Sequence, residues 1–592
     1  MNSFLKTTLI LASAFAYGGV TAQTTQWGVP TGNQQFPKGS YIELPDPQTK
    51  NLKAWSEVQA PQLSWGTTDL RYDKGAVPAI GKIVTKDFVS GWRGERVSAQ
   101  AVVWSNTPLE NMTLQMSPLK GKNGSIEASA AFVRYVMQDN FLTCGYRTAS
   151  KDYDSTLVAD PIDHLAKTLA LEAQTARPIW VSVWIPQSAK AGQYSGSLVV
   201  KNNGAVVGEL SLNVEVINRV LPEPTKWSYH LDFWQNPFAE ARYAGIEPFS
   251  PLFFEYVRPQ FERLRDAGQK VITTSIMHKP WGGQTEDYFE SMVSWIKRTD
   301  GTWAFDFTTF DMWVEFMMDL GINQQIACYS MIPWNMQFKY YDQRTNSMQM
   351  LKTTTDTPEY TQVWTALLKS LSGHLRQKGW FSRTVIAMDE RPTADMQNAF
   401  RVIKAADPAF KVSMAGNYHP EIEAELYDYC IASDFEFSPE ILAARKAAGK
   451  KSTYYTCCAQ KYPNMFTYSS PAQNEWISWY ALAKGFDGYL RWAYDSYTKE
   501  PLLDARFRAF QSGDSFLVYP EARSCIRFEK FVDGVEMFEK IKILQQEFRD
   551  KGDKKSLIKI DKVLSGFSIE NFKENIKAEQ TLVPARKIIN SL

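Results

Sequence analysis

The chain has 592 residues, 44% hydrophobic and 22% charged, with 65 basic against 64 acidic side chains and a net charge of +1. That length exceeds one ordinary domain and predicts two or three. The even charge balance excludes nucleic acid as the main partner, because phosphate binding needs a basic face.

Taken in chain order, the N-terminus reads as an export signal over residues 1–22. Lys6 supplies the positive region, Thr7 to Ala16 the apolar one, and Val20-Thr21-Ala22 the small-residue cleavage site. The apolar run is too short for a transmembrane helix, and no later stretch is apolar enough to span. The expectation is an exported protein, periplasmic or secreted, with no membrane span. Residues 23–225 read as a β-sandwich. Val97–Trp104, Met112–Met116, Arg177–Pro186, Ala191–Val200 and Glu209–Val216 follow strand patterns, with a turn at Asn202-Asn203-Gly204. Leu221-Pro-Glu-Pro224 then reads as a linker, since two prolines break both helix and sheet.

From 226 to 520 the rhythm changes. Eight apolar runs alternate with amphipathic segments: Tyr229–Trp234, Val271–Ile276, Gln325–Ser330, Thr384–Met388, Lys411–Ala415, Tyr429–Ser433, Ser452–Cys457 and Gly488–Trp492. Helical patterns fall at Leu252–Ala267, Phe310–Leu320, Glu359–Gln377, Ala394–Ala405, Ile422–Tyr427, Pro439–Ala448 and Ala472–Lys484. Eightfold strand–helix repetition predicts a (β/α)8 TIM barrel. Residues 521–592 are charged and periodic, and predict a C-terminal helical extension. The fold class expected is therefore multidomain, an N-terminal β-sandwich followed by the barrel and that extension.

Active sites of such barrels collect at the carboxyl ends of the strands. Those ends hold Asp232 and Trp234; His278 and Trp281; Trp334 and Asn335; Asp389 and Glu390; Asn417, Tyr418 and His419; Asp434 and Glu436; Lys461 and Tyr462; and Trp492, Tyr494 and Asp495. Acids, amides and rings in one place suit a carbohydrate cleft. The 14% aromatic content, with 19 Trp and 27 Tyr, points the same way. An Asp-Glu pair alone is a common solvated loop feature. Here it ends the run Thr384–Met388 just before Arg391-Pro392, where the backbone can leave strand geometry and let both carboxylates serve one site. The five His have no ligand spacing, no phosphate loop appears, and no Gly-x-Ser-x-Gly elbow is present. No metal or cofactor is expected. Of six Cys, Cys328 and Cys430 read as core, while Cys457-Cys458 leaves open a vicinal disulfide.

With Ile386-Ala-Met-Asp-Glu-Arg-Pro392 on a fourth strand, the chain resembles glycoside hydrolase family 123, exo-acting N-acetyl-β-galactosaminidases. Ile179-Trp-Val-Ser-Val and Gly192-Gln-Tyr-Ser-Gly look like that family's N-terminal part; His230–Pro237, Phe310–Phe316 and Leu490–Asp495 look like its barrel. The resemblance implies retaining hydrolysis of terminal β-GalNAc from glycans such as glycosphingolipid oligosaccharides. In it the substrate's own 2-acetamido oxygen attacks the anomeric carbon and gives an oxazoline, outside the two-carboxylate scheme. Asp389, ionised, would orient the acetamido group, and Glu390 would be the general acid and then base. A tyrosine hydroxyl, Tyr418, Tyr455 or Tyr494, would hold the acetamido oxygen. Asp232, Trp234, His278, Trp334, Asn335, Trp492 and Asp495 complete the expected sugar-binding set. Two other readings remain: a β-hexosaminidase or other retaining glycosidase with Glu436 or Asp495 as nucleophile, or a non-catalytic glycan-binding protein.

Overall fold

The computed structural model describes residues 41–592 except 123, 141–143 and 147–154, together with a strand pair at Gln23–Thr24 and Pro30–Thr31. The expected export signal lies outside the described residues. Two sheets face each other in the N-terminal part. One contains Gln62–Gly66, Arg96–Ser105, Thr175–Trp184, Ala128–Gln138 and Thr156–Asp163; the other is built on Leu109–Met116, Gly192–Asn202, Ala205–Val220 and Lys86–Arg93. Alternation along these strands buries one face of each, and Val97, Phe132, Ile179, Val181, Leu198 and Leu212 form the core between them.

The barrel strands are β1 (His230–Phe233), β2 (Val271–Ser275), β3 (Gln325–Tyr329), β4 (Thr384–Asp389), β5 (Lys411–Gly416), β6 (Asp428–Ala432), β7 (Lys451–Tyr455) and β8 (Gly488–Arg491). All pair in parallel, in the ring order β1-β8-β7-β6-β5-β4-β3-β2, and the single bridge Leu231–Gln269 nearly closes the ring. All eight are buried at every residue or all but one, as their continuous apolar runs require, since a parallel strand is covered on both faces.

Three elements differ from the sequence expectation. Ile422–Tyr427 contains only a 3-10 turn, Glu423–Glu425, because six residues are too few to nucleate an isolated helix. A four-stranded sheet of Ser294–Lys297, Trp303–Asp306, Gln337–Asp342 and Ser347–Lys352 is inserted around β3. The helix after β4 runs from Thr393 to Ala406, one residue longer at each end than expected, and the Thr393 hydroxyl donates to Glu421 (3.0 Å).

The C-terminal extension is helical, with Ile526–Asp550 the longest helix. Just before it, Ser524–Cys525 adds an edge strand to the sandwich sheet at Ile162 and Pro161. The helix itself packs on the barrel helix Pro471–Lys484. Among the described residues no helix is long and apolar enough to cross a membrane.

Candidate active site

At the carboxyl end of the barrel lies a cavity of about 370 Å³, of ligand-site size. β4 delivers the two adjacent carboxylates. Asp389 is the last strand residue and is 7% exposed, whereas Glu390 already belongs to the loop and is exposed; both line the cavity. The change of backbone path between them lets neighbours share one space despite the strand's alternation.

Asp389 is held from two sides. Its Oδ1 accepts from Arg391 Nε (3.1 Å) and Nη2 (2.8 Å), and its Oδ2 accepts from Trp334 Nε1 (3.1 Å). The Trp334 ring also lies 3.9 Å from the Arg391 guanidinium, so one indole orients both partners. Burial raises the Asp389 carboxyl above the ordinary aspartate range; Arg391 pulls against that rise, and Glu390 beside it adds to it. Glu390 Oε1 accepts from the Tyr455 hydroxyl at 2.6 Å. Burial, and then the Glu390 charge, raise the Tyr455 phenol far above its usual range, so it stays protonated as a donor.

Aromatic rings form the floor. Trp234 stacks on Trp281 (4.8 Å between centroids) and leans on Tyr329 (4.6 Å). Trp281 Nε1 is buried without a hydrogen-bond partner. On the β8 side Trp492 donates to Asp514 Oδ1 (3.2 Å), which also takes Arg491 Nη2 (2.6 Å). Asp514 Oδ2 has no partner, although the residue is fully buried and lines the cavity. An unmade hydrogen bond of this kind is costly, and a sugar hydroxyl is a fitting donor.

Among the residues singled out in the sequence, Asp389, Glu390, Trp234, Trp281, Trp334, Tyr455 and Trp492 meet at this cavity. The others stand elsewhere. Asp232 is enclosed in the barrel interior near Asp428. His278 Nδ1 pairs with Glu290 Oε2 at 2.6 Å. Asn335 is exposed beside Gly282. Tyr418 packs on Tyr429 and Phe437. Tyr494 is buried and donates to the Gln260 carbonyl (3.0 Å), while Asp495 accepts from the Asn236 backbone (2.7 Å). Of the nucleophile candidates, Glu436 is paired with Lys484 (2.6 Å) and, like Asp495, does not line the cavity.

The vicinal disulfide left open at Cys457-Cys458 is not formed: Cys458 is bonded to Cys144 of the sandwich, and Cys457 is free. Burial pushes the Cys457 thiol up to about 12, which leaves it un-ionised and unreactive at neutral pH. Cys328 and Cys430 are buried in the core. Among the described residues no three His, Cys, Asp or Glu side chains gather as metal ligands would. Asp514 and Tyr146 line the cavity without having been singled out in the sequence. Asp514 follows no predicted strand closely, and Tyr146 comes from the other domain.

The family model described as "Glycoside hydrolase 123, catalytic domain" matches residues 234–544, and "Glycoside hydrolase 123 N-terminal domain" matches residues 65–202. Among solved structures, a family 123 glycoside hydrolase from Clostridium perfringens, studied for glycolipid glycan hydrolysis, is similar at 26% identity and a TM-score of 0.80. That match covers 90% of this chain and 98% of its own. A Bacteroides ovatus xyloglucanase (9% identity, TM-score 0.28, 80% of this chain and 100% of its own) is too distant to carry an argument. So is a Bacteroides cellulosilyticus family 39 glycoside hydrolase (11%, 0.31, 70% and 79%). No curated protein matches the chain.

Proposed function

The chain belongs to glycoside hydrolase family 123, and from that membership we propose that it removes terminal β-GalNAc from glycans by substrate-assisted, retaining hydrolysis. The relative's action on glycolipid glycans makes such glycans the first substrates to try. The observation that carries the reading is the division of labour between two adjacent carboxylates. Asp389 is buried and bonded on both oxygens by cationic or N–H donors, while Glu390 is open to the cavity and bonded only by Tyr455. A group that must stay a fixed acceptor differs from one that must give and take a proton, and these surroundings differ accordingly.

In this reading the acetamido oxygen attacks the anomeric carbon as the glycosidic C–O bond breaks, and Glu390 passes its proton to the leaving oxygen. Asp389 accepts the acetamido N–H and stabilises the positive charge that develops on the oxazoline. Water then adds at the anomeric carbon, Glu390 takes its proton, and the acetamido group is restored. Placement of Glu436 and Asp495 outside the cavity supports substrate assistance over a carboxylate nucleophile from either. A glycan-binding protein would have no use for an acid beside an acetamido anchor. Export to the periplasm or beyond belongs to the same proposal.

The test is hydrolysis of 4-nitrophenyl β-GalNAc and β-GlcNAc by wild type and Asp389→Asn, with a thiazoline analogue of the oxazoline as inhibitor. Cleavage of the GalNAc glycoside alone, strong thiazoline inhibition, and a loss of about 10²–10³-fold in kcat for the variant are expected. Equal rates on both sugars would discard the sugar. Weak thiazoline inhibition together with covalent labelling of Asp514 by a fluoro-sugar would replace the mechanism.

A further inference from the structure

One wall of the cavity is supplied by the other domain. Cys144, Gly145 and Tyr146 come from the sandwich, and all three line the cavity. Each is fastened to a different barrel segment. Cys144 is disulfide-bonded to Cys458, after β7 and 314 residues away. The Gly145 N–H donates to the Ala509 carbonyl at 3.2 Å, in the segment after β8. The Tyr146 hydroxyl donates to the Gly283 carbonyl at 3.3 Å, after β2. Three attachments over three residues remove conformational freedom before a ligand arrives, and this preorganisation lowers the entropic cost of binding.

The floor of the cavity is closed by Trp234, Leu490 and Ala415, which are 3%, 4% and 6% exposed. A glycan whose end sugar sits against Asp389 and Glu390 therefore leaves through the mouth. The exposed rings of the lining there are Tyr146, at 63%, and Trp334, at 43%. Trp334 is engaged with Asp389 and Arg391. Tyr146 has no task in the chemistry and its ring fills no core. A tyrosine ring on a rigid support presents a large amphipathic surface at little entropic cost, suited to the C–H face of a sugar.

We propose that Tyr146 is a specificity-determining residue, stacking on the sugar immediately beyond the scissile bond, and that the Cys144–Cys458 disulfide is the tether that positions it. The inference rests on the glycosidase reading above. It also makes the complete site a product of oxidation, because the wall is joined to the barrel through a disulfide.

Two substrates separate the parts. β-GalNAc azide has a leaving group without a ring, whereas an oligosaccharide ending in β-GalNAc linked to galactose places a sugar at the mouth. Tyr146→Ala is expected to lower kcat/KM for the oligosaccharide by about tenfold, mainly through KM, and to leave the azide within about threefold. Tyr146→Phe keeps the ring and restores the oligosaccharide to within about threefold of wild type. Cys144→Ser follows Tyr146→Ala on the oligosaccharide. Equal effects of Tyr146→Ala on both substrates, or none on either, overturn the proposal while leaving the glycosidase reading intact. A wild type that cleaves neither substrate ends that reading and the proposal with it. Should Cys144→Ser fail to fold, the Ala and Phe variants at Tyr146 decide the question alone.

Discussion

At the scale of single residues, Asp389 is set by two opposed influences, burial that favours its neutral form and Arg391 that favours its charge. The balance falls above the ordinary aspartate pKa, so protonation of Asp389 should govern the acid limb of the pH–rate profile if it acts as a carboxylate. The sign for a variant follows directly. Arg391→Met removes the charge that lowers the pKa, the pKa rises further, and the acid limb of kcat/KM moves to higher pH. The shift should be plain to see, because the lost guanidinium stands only 2.8 Å from the carboxylate. A pH profile on an activated aryl glycoside would show it, since such a leaving group needs little help from Glu390. A reduced rate with an unmoved limb would separate Asp389 from the acid limb. The carboxylate pair was legible in the sequence because a run of buried apolar residues ends in two charges before a proline. Asp514 was not, since it reaches the cavity from an irregular segment with no periodicity to read. Asp232, Tyr494 and Asp495 were named by chain position near strand ends, but position does not tell direction, and their side chains point into packed interior.

At the scale of elements, the barrel was almost wholly legible. Its strands are short apolar runs with punctuation on both sides, and each observed strand overlaps its expected one. The inserted sheet was not legible: Ser347–Lys352 alternates between half-buried and exposed, so it carries little apolar signal. Closure of the barrel is also a matter no single strand can show. It depends on Gly488, where β8 meets β1. A Cβ there would stand 2.1 Å from the His230 carbonyl oxygen and 2.6 Å from its carbonyl carbon. These are backbone atoms, which cannot swing aside, so Gly488→Ala should push the two strands apart. A loss of about 1–3 kcal/mol in unfolding free energy is expected by denaturant titration. Activity should fall too, since Trp234 and Trp492 follow these two strands. Gly373→Ala, in the helix Pro358–Lys378 with no atom within 4 Å of the new carbon, is the control. It should be neutral or slightly stabilising. Equal stability of both variants would mean that β1 and β8 yield more easily than their contact suggests.

At the scale of the whole molecule, the C-terminal extension joins the sandwich to the barrel, and its charges are buried to do so. Arg96 of the sandwich donates its backbone N–H to Glu536 (3.0 Å), and Lys540 pairs with Glu95 (2.9 Å). Arg527 is the most enclosed of these groups. Its Nε pairs with Asp160 Oδ2 of the sandwich (2.9 Å), and its Nη1 donates to the carbonyls of Met465 (2.8 Å), Gly513 (2.8 Å) and Phe516 (2.9 Å) on the barrel side. One guanidinium thus satisfies acceptors from both domains. An exchange for an apolar side chain at one partner alone strands the rest, because Asp160 keeps Arg71 and Tyr519 but three carbonyls lose their donor. Breaking a buried pair in this one-sided way typically costs about 3–5 kcal/mol. Arg527→Met should therefore lower the midpoint of thermal unfolding clearly, and replacement of Asp160 by Asn in the same chain should not add a second full loss, because the two act as a unit. Fully additive losses would mean that the two side chains contribute independently and that the domains are held elsewhere. In that event the Cys144–Cys458 link, the covalent crossing between sandwich and barrel, becomes the main support of the interface, and reduction should then unfold the Arg527→Met protein at a temperature where the reduced wild type stays folded.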